Sequence, residues 1–149
     1  MPTIHLTETT TATPAQFVAA LTDFGPGRSK IFGRSSDESL VVHDRGPDWA
    51  DVTEGSGGIW ERLRYDWSSP DRVVMTTTDS NTWGGKSGHT YTFKPRPDGT
   101  TEVDVVVVRD GKGIKGHVVG ALLGVAGKSV LGKELKKTVA AIEARPAPA

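Results

Sequence analysis

Cysteine is absent from the 149 residues. That removes disulfides, thiolate nucleophiles and cysteine-ligated metals from consideration. Histidine is scarce. His5, His43, His89 and His117 form no HExxH pair and no other spacing that suits a metal. No metal site and no cofactor are therefore expected. Net charge is missing as well: 18 Lys and Arg balance 18 Asp and Glu, so no overall field recruits nucleic acid. Basic residues interleaved with aromatics, the pattern of single-strand binders, are sparse. GKS at 127–129 matches only the tail of a phosphate loop and lacks the upstream glycine. The start, MPTIHLTETTTATPAQF, has no basic region leading into an apolar run, so no signal peptide is expected. The longest mainly apolar run, VVGALLGVAG, is interrupted by glycine and is too short to span a bilayer. These absences point to a cytoplasmic protein with one domain over 1–149 and a frayed tail at 144–149.

What is present begins with a threonine-rich strand, TIHLTETTT at 3–11. A helix start follows. Thr13 is placed to cap it, Pro14 occupies its first position, and Gln16 completes a capping box. Phe17, Ala20, Leu21 and Phe24 recur at helical spacing. GPG at 25–27 ends this helix, and a second, smaller helix fits before Gly33. The period then changes to two. Short strands are expected at 38–43 and 49–54, a long one at 58–67, and further strands at 72–78, 88–95 and 101–110. In 58–67, Ile59, Glu61, Leu63, Tyr65 and Trp67 share one face. In 88–95, His89, Tyr91 and Phe93 share one face. DSNTWGG at 79–85 reads as a connection carrying one large aromatic, Trp83. Consecutive hairpins predict an antiparallel sheet with one face covered, and a long C-terminal helix is its natural cover.

That helix is unusual. GIKGHVVGALLGVAGKSVLG, 113–132, holds six glycines. Gly113, Gly116, Gly120, Gly124 and Gly127 fall within roughly an 80° arc, on the side continued by Leu131, Leu135 and Ile142. Each glycine costs about 0.8–1 kcal/mol relative to alanine in a helix. Three arrangements fit the stripe. The helix presses closely on the sheet, or the missing side chains leave a ligand cavity, or the helix is broken. Val119, Leu122, Ala126 and Val130 lie on a different side from Leu135 and Val139. That mismatch is met by a kink between Gly127 and Gly132 or by an exposed apolar flank on the first half. The cavity reading predicts an interior void between the sheet and residues 113–131.

The order of elements resembles the START-like superfamily, also called SRPBCC. The likeness is carried by DRVVMTTTDSNTWGGKSGHTYTFKPRPDGTTEVDVVVV and GHVVGALLGVAGKSVLGKELKKTVAAIEAR, and it covers nearly the whole chain. It looks nearest to small actinobacterial proteins of the polyketide cyclase/dehydrase and lipid-transport group. The resemblance implies an α+β helix-grip fold. A seven-stranded antiparallel sheet curves around a long C-terminal helix, with one or two short helices after the first strand and a deep apolar cavity between. These are architectural signals, and no catalytic motif matches residue by residue.

The resemblance and the face patterns together nominate a ligand-binding set: Leu63, Tyr65, Trp67, Met75, Trp83, His89, Tyr91, Phe93, Val105, Val107, Gly116, Gly120, Leu123, Gly124 and Gly127. Glu61 is the odd residue on an otherwise apolar face, where a carboxylate must be paired or carry a raised pKa. If the protein is an enzyme, His89, Glu61, Tyr65, Tyr91 and Arg109 are the groups available for acid–base work or for polarising a carbonyl. Three functions are weighed. The first is binding or carriage of a small hydrophobic molecule such as a lipid, fatty acid or polyketide. The second is cyclisation, aromatisation or dehydration of a polyketide. The third is a toxin-like or regulatory interaction protein. The expected partner is a small hydrophobic molecule and not nucleic acid. Transient membrane contact is allowed by the basic C-terminal third, where residues 109–149 hold eight Lys or Arg against three Asp or Glu. A monomer or a weak homodimer is expected.

Overall fold

The computed structural model describes residues 2–33 and 35–146. In chain order the elements are β1 (Thr3–Thr10), α1 (Pro14–Leu21), β2 (Val41–Arg45), β3 (Trp49–Ser56), β4 (Ile59–Asp66), β5 (Arg72–Ser80), β6 (Trp83–Pro95), β7 (Thr101–Gly111) and α2 (Gly113–Glu143). Single 3-10 turns stand at Arg28–Lys30 and Asp37–Ser39. The strands form one antiparallel sheet in the order β1-β7-β6-β5-β4-β3-β2. The first strand thus pairs with the last, and the hairpins between them follow in sequence. This is the helix-grip fold.

Local chemistry explains the boundaries. The α1 capping box forms as expected: Gln16 N donates to Thr13 Oγ1 at 3.1 Å, and Thr13 N donates to Gln16 Oε1 at 2.7 Å. The β3–β4 turn uses Gly57 and Gly58, both with φ in the left-handed region (61° and 80°). Two boundaries differ from expectation. β2 starts at Val41, because Asp37–Ser39 coil into a 3-10 turn. The stretch 79–85 is mostly strand. β5 runs to Ser80 and β6 resumes at Trp83. Ser80 Oγ makes so short a turn possible, accepting from Thr82 N and Trp83 N at 3.0 Å each and donating to Trp60 O at 2.7 Å.

The core lies between the sheet, α1 and the second half of α2. Phe17, Ala20 and Leu21 of α1 are buried, and the Phe17 ring sits 5.2 Å from that of Phe93. Leu135, Val139 and Ile142 of α2 join Ile4, Leu6, Val103 and Val105. Two polar clasps fix this half of the helix. Glu143 Oε2 accepts from Thr10 Oγ1 (2.9 Å) and Thr11 N (3.0 Å), and Thr138 Oγ1 donates to Ile31 O (2.8 Å). Residues 147–149 of the tail lie outside the described residues. Arg145 is held by Asp23 at 3.0 Å, so the tail is tied at its start.

α2 is one continuous helix of 31 residues, and the break considered near 127–132 does not occur. The mismatch between its halves is met by the other alternative, an exposed apolar flank on the first half. Gly116, Gly120 and Gly127 of the glycine stripe are buried against the sheet, whereas Gly113 and Gly124 are exposed, and the role of the buried three differs from a cavity wall. A Cβ on Gly116 would come within 2.5 Å of Thr82 O, so backbone meets backbone there. Gly120 lies over Trp83, with Cζ3 at 3.9 Å from an added Cβ, and Gly127 meets Ile4 Cδ1 at 2.6 Å. Gly124 touches nothing within 4 Å and is exposed. Close packing and the Trp83 ring therefore occupy the space that a void was expected to fill.

Candidate functional site

The inward rows of the sheet follow directly from strand alternation. On β4 the row is Ile59, Glu61, Leu63 and Tyr65. On β6 it includes His89, Tyr91 and Phe93, and on β7 it runs Val103, Val105, Val107 and Arg109. A bulge at Thr78 offsets β5 against β4, since Arg62 pairs with Asp79 but Leu63 pairs with Thr77. The bulge lies on the partner strand, so Glu61 keeps its inward direction.

These rows line a partly open pocket of about 190 Å³. Leu131, Glu134, Leu135 and Thr138 close it from the second half of α2, one helix half away from the expected position. Phe32, Gly33 and Ser35 border it on one side, and Gly55, Ser56 and Ile59 on another. Of the nominated residues, Leu63, Tyr65, Met75, Trp83, His89, Tyr91, Val105 and Val107 line it, as do Glu61 and Arg109. Gly116, Gly120, Leu123, Gly124 and Gly127 do not, because they belong to the half of α2 that sits on Trp83 and Ile4. Phe93 is consumed by the core under α1, and Trp67 packs at the margin of the core beyond the end of β4.

Two ionic networks face this space. In the first, Arg109 makes a two-pronged contact with Glu61: Nη1 to Oε2 at 2.9 Å and Nη2 to Oε1 at 3.0 Å. Thr77 Oγ1 also donates to Glu61 Oε2, at 2.9 Å. Arg109 Nη2 lies 2.6 Å from His89 Nε2. A guanidinium only donates, so Nε2 accepts and the ring proton sits on Nδ1. His89 is thus neutral. Burial lowers its pKa below 6.5, and the Arg109 charge adds to this against the pull of Glu61. Burial opposes ionisation of Glu61, yet the two-pronged contact with the Arg109 guanidinium holds its carboxyl well below the usual range. The Arg109 guanidinium also lies 5.0 Å from the centre of the Trp83 ring.

The second network centres on Arg28, which is 3% exposed. Its Nε donates to Glu54 Oε1 at 2.6 Å, its Nη1 to Asp23 O at 2.6 Å, and its Nη2 to Leu21 O at 2.8 Å and Tyr65 Oη at 3.0 Å. Tyr65 Oη donates to the other oxygen of Glu54, and Ser35 Oγ donates to Oε1 at 3.0 Å. Phe24 and Phe32 cover the guanidinium, each 4.7 Å from its carbon. Burial raises the Tyr65 pKa well above 10.0, and Glu54 adds to this against Arg28. Arg28 and Glu54 were not foreseen as site residues. Glu54 had a readable signal, since it shares a face of β3 with buried Ala50 and Val52, as Glu61 does on β4. Arg28 had none, because it lies in a turn without a period.

Two polar atoms in the pocket remain uncommitted. His89 Nδ1 and Tyr91 Oη make no hydrogen bond to another group of the protein among the described residues, and neither is sealed from solvent. Burial pushes the Tyr91 phenol up to about 12, so it stays protonated. The two side chains are two residues apart on one face of β6, about 7 Å along the strand. Among the described residues, no group of three His, Asp or Glu is placed to hold a metal.

No family model matches the chain, and no curated protein does. Solved structures do match in fold. TTHA0849 from Thermus thermophilus superposes with a TM-score of 0.74 at 15% identity, over 98% of this chain and 100% of that one. A START superfamily protein from Mycobacterium smegmatis gives a TM-score of 0.67 at 12% identity, over 95% and 94%. The di-domain ARO/CYC StfQ from the steffimycin biosynthetic pathway gives 0.58 at 18% identity, over 93% of this chain and 42% of that one. The fold and the pocket between sheet and C-terminal helix define a START-like, helix-grip architecture. The expected α+β class and seven-stranded antiparallel sheet hold.

Proposed function

We propose that the protein binds a small, mainly apolar molecule that carries one hydrogen-bond-accepting group. The reading rests on one observation. Arg28 is engaged with Glu54 and Arg109 with Glu61, which leaves His89 Nδ1–H and Tyr91 Oη–H as uncommitted donors beside Leu63, Met75, Val105 and Val107. Such a pocket selects by shape and by one or two oriented polar contacts. Its 190 Å³ is below the roughly 300–1,000 Å³ of drug-sized sites, which favours a single acyl chain or a small ring system over a two-chain lipid.

Polyketide cyclisation is the second reading. Its support is the fold likeness to StfQ and the meeting of His89, Glu61 and Arg109 in one pocket. A neutral His89 with its proton on Nδ1 can polarise a carbonyl. Cyclisation also needs a base. Both oxygens of Glu61 are occupied, and His89 Nε2 is held by Arg109. The arrangement therefore suits binding better than proton abstraction.

Mass spectrometry of the protein purified from its native cells tests the proposal directly, and a titration with a fluorescent fatty acid extends it. Met75→Trp, which fills the pocket, is expected to abolish binding. Tyr91→Phe is expected to leave stability unchanged within about 0.5 kcal/mol and to weaken binding about 2–10-fold, the worth of one hydrogen bond. No copurified ligand, together with probe binding that Met75→Trp leaves intact, overturns the proposal. Turnover of a polyketide substrate that His89→Gln abolishes would establish the second reading instead.

A further inference from the structure

The first half of α2 turns its apolar side away from the protein. Ile114, Val118, Leu122 and Val125 follow at spacings of four, four and three, opposite to buried Gly116, Gly120 and Gly127. Ile114 is 89% and Val125 is 91% exposed. By length and apolar composition α2 qualifies to cross a bilayer, yet only 17% of its 18-residue apolar window is buried. The second half of the helix is committed to the core through Leu135, Val139 and Ile142. The first half is therefore an apolar surface without a partner among the described residues.

Charge identifies what it fits. Residues 111–133 carry Lys112, Lys115, Lys128 and Lys133 and no Asp or Glu. Lys112 leans on Asp79 at 3.7 Å, while Lys115 and Lys128 flank the apolar stripe on its two sides of the helix. An apolar strip edged by lysines matches the layers of a bilayer surface, with acyl chains under the strip and phosphates beside the lysines. A second copy fits poorly. Two such faces packed together would set Lys115 and Lys128 of one chain against those of the other, and the segment holds no carboxylate to separate them.

We infer that residues 114–130 of α2 form a docking surface for an anionic lipid bilayer, with the helix lying flat on the membrane. This surface is separate from the pocket and does not depend on what the pocket binds. Co-sedimentation with phosphatidylcholine vesicles, with and without phosphatidylserine, tests it. The intact protein should pellet with the serine-containing vesicles only, and less so as salt rises. Lys115→Gln with Lys128→Gln should weaken binding about 30-fold, at about 1 kcal/mol per lysine near the surface. Leu122→Asp with Val125→Asp should abolish it and leave the thermal melt unchanged, since both side chains are exposed. Because the chain has no cysteine, Val125→Cys gives a unique site for an environment-sensitive fluorophore, which should shift to the blue on the anionic vesicles. The inference is overturned if the wild type fails to pellet and the label fails to shift. It is equally overturned if sedimentation equilibrium shows a dimer that Leu122→Asp with Val125→Asp dissolves, because the face then serves a second copy.

Discussion

Arg28 and Arg109 each meet a glutamate on the concave side of the sheet, but their surroundings differ. Arg28 spends its donors on Glu54, Tyr65 and three backbone carbonyls, under a cover of Phe24 and Phe32. It ties the turn after α1 to β3 and β4. Arg109 joins β7 to β4 and β6 through Glu61 and His89, and its last contact is a histidine with one free N–H. Both networks line the pocket, but the first has its hydrogen bonds closed within itself, whereas the second ends in a histidine N–H with no partner among the described residues. A buried ion pair is therefore not one kind of object. One locks a loop to a sheet, and the other sets the protonation state of a group that a ligand meets.

The largest effect should come from breaking the closed network. Arg28→Met leaves Glu54 and three carbonyls short of a donor where water has little access. It is expected to cost about 3–5 kcal/mol in urea unfolding. A loss below 1 kcal/mol would show that this network does not hold the loop. Arg109→Met should cost less, about 1–3 kcal/mol, because Glu61 can take water from the pocket. If both variants lose the same amount, the proposed difference between the networks is gone.

A finer test uses pH. The folded pKa of His89 lies below 6.5, so above pH 6.5 the histidine is neutral in both states and its contribution is fully present. As pH falls below 6.5 the unfolded chain binds a proton that the native site refuses, and stability drops until the folded pKa is reached. The slope for one group is at most about 1.4 kcal/mol per pH unit. Glu61 acts in the same direction but begins below its ordinary 4.5. Melting temperatures from pH 7 to 5 should therefore fall more steeply for the wild type than for His89→Gln. Equal slopes would mean that His89 is not held neutral.

Much of the fold was legible because its signals are local. The capping box at Thr13 and Gln16 and the two-residue period of β4 and of His89, Tyr91 and Phe93 on β6 each state a conformation within a few residues. Half of the pocket was legible for the same reason, since alternation alone puts Leu63, Tyr65, His89, Tyr91, Val105 and Val107 on inward rows. Of the three arrangements that the glycine stripe allows, close packing is the one found, at Gly116, Gly120 and Gly127, while Gly113 and Gly124 are exposed. A helical wheel states which residues share a side, not what stands opposite them. Trp83 was assigned to a connection, yet it is the ring that fills the space below Gly120.

The sequence by itself determined the order of elements, the antiparallel hairpins, the inward rows and the presence of Glu61 on an apolar face. Periodicity and capping act over one or two turns of chain, so they can be read without coordinates. The tertiary structure alone decided that Arg109, 48 residues away, neutralises Glu61 and fixes the tautomer of His89. It also decided that the pocket sits under Leu131–Thr138 while residues 114–130 show their apolar side to solvent. Those outcomes depend on which surfaces meet when the sheet curves around the helix, and contact between distant segments leaves no local pattern in the chain.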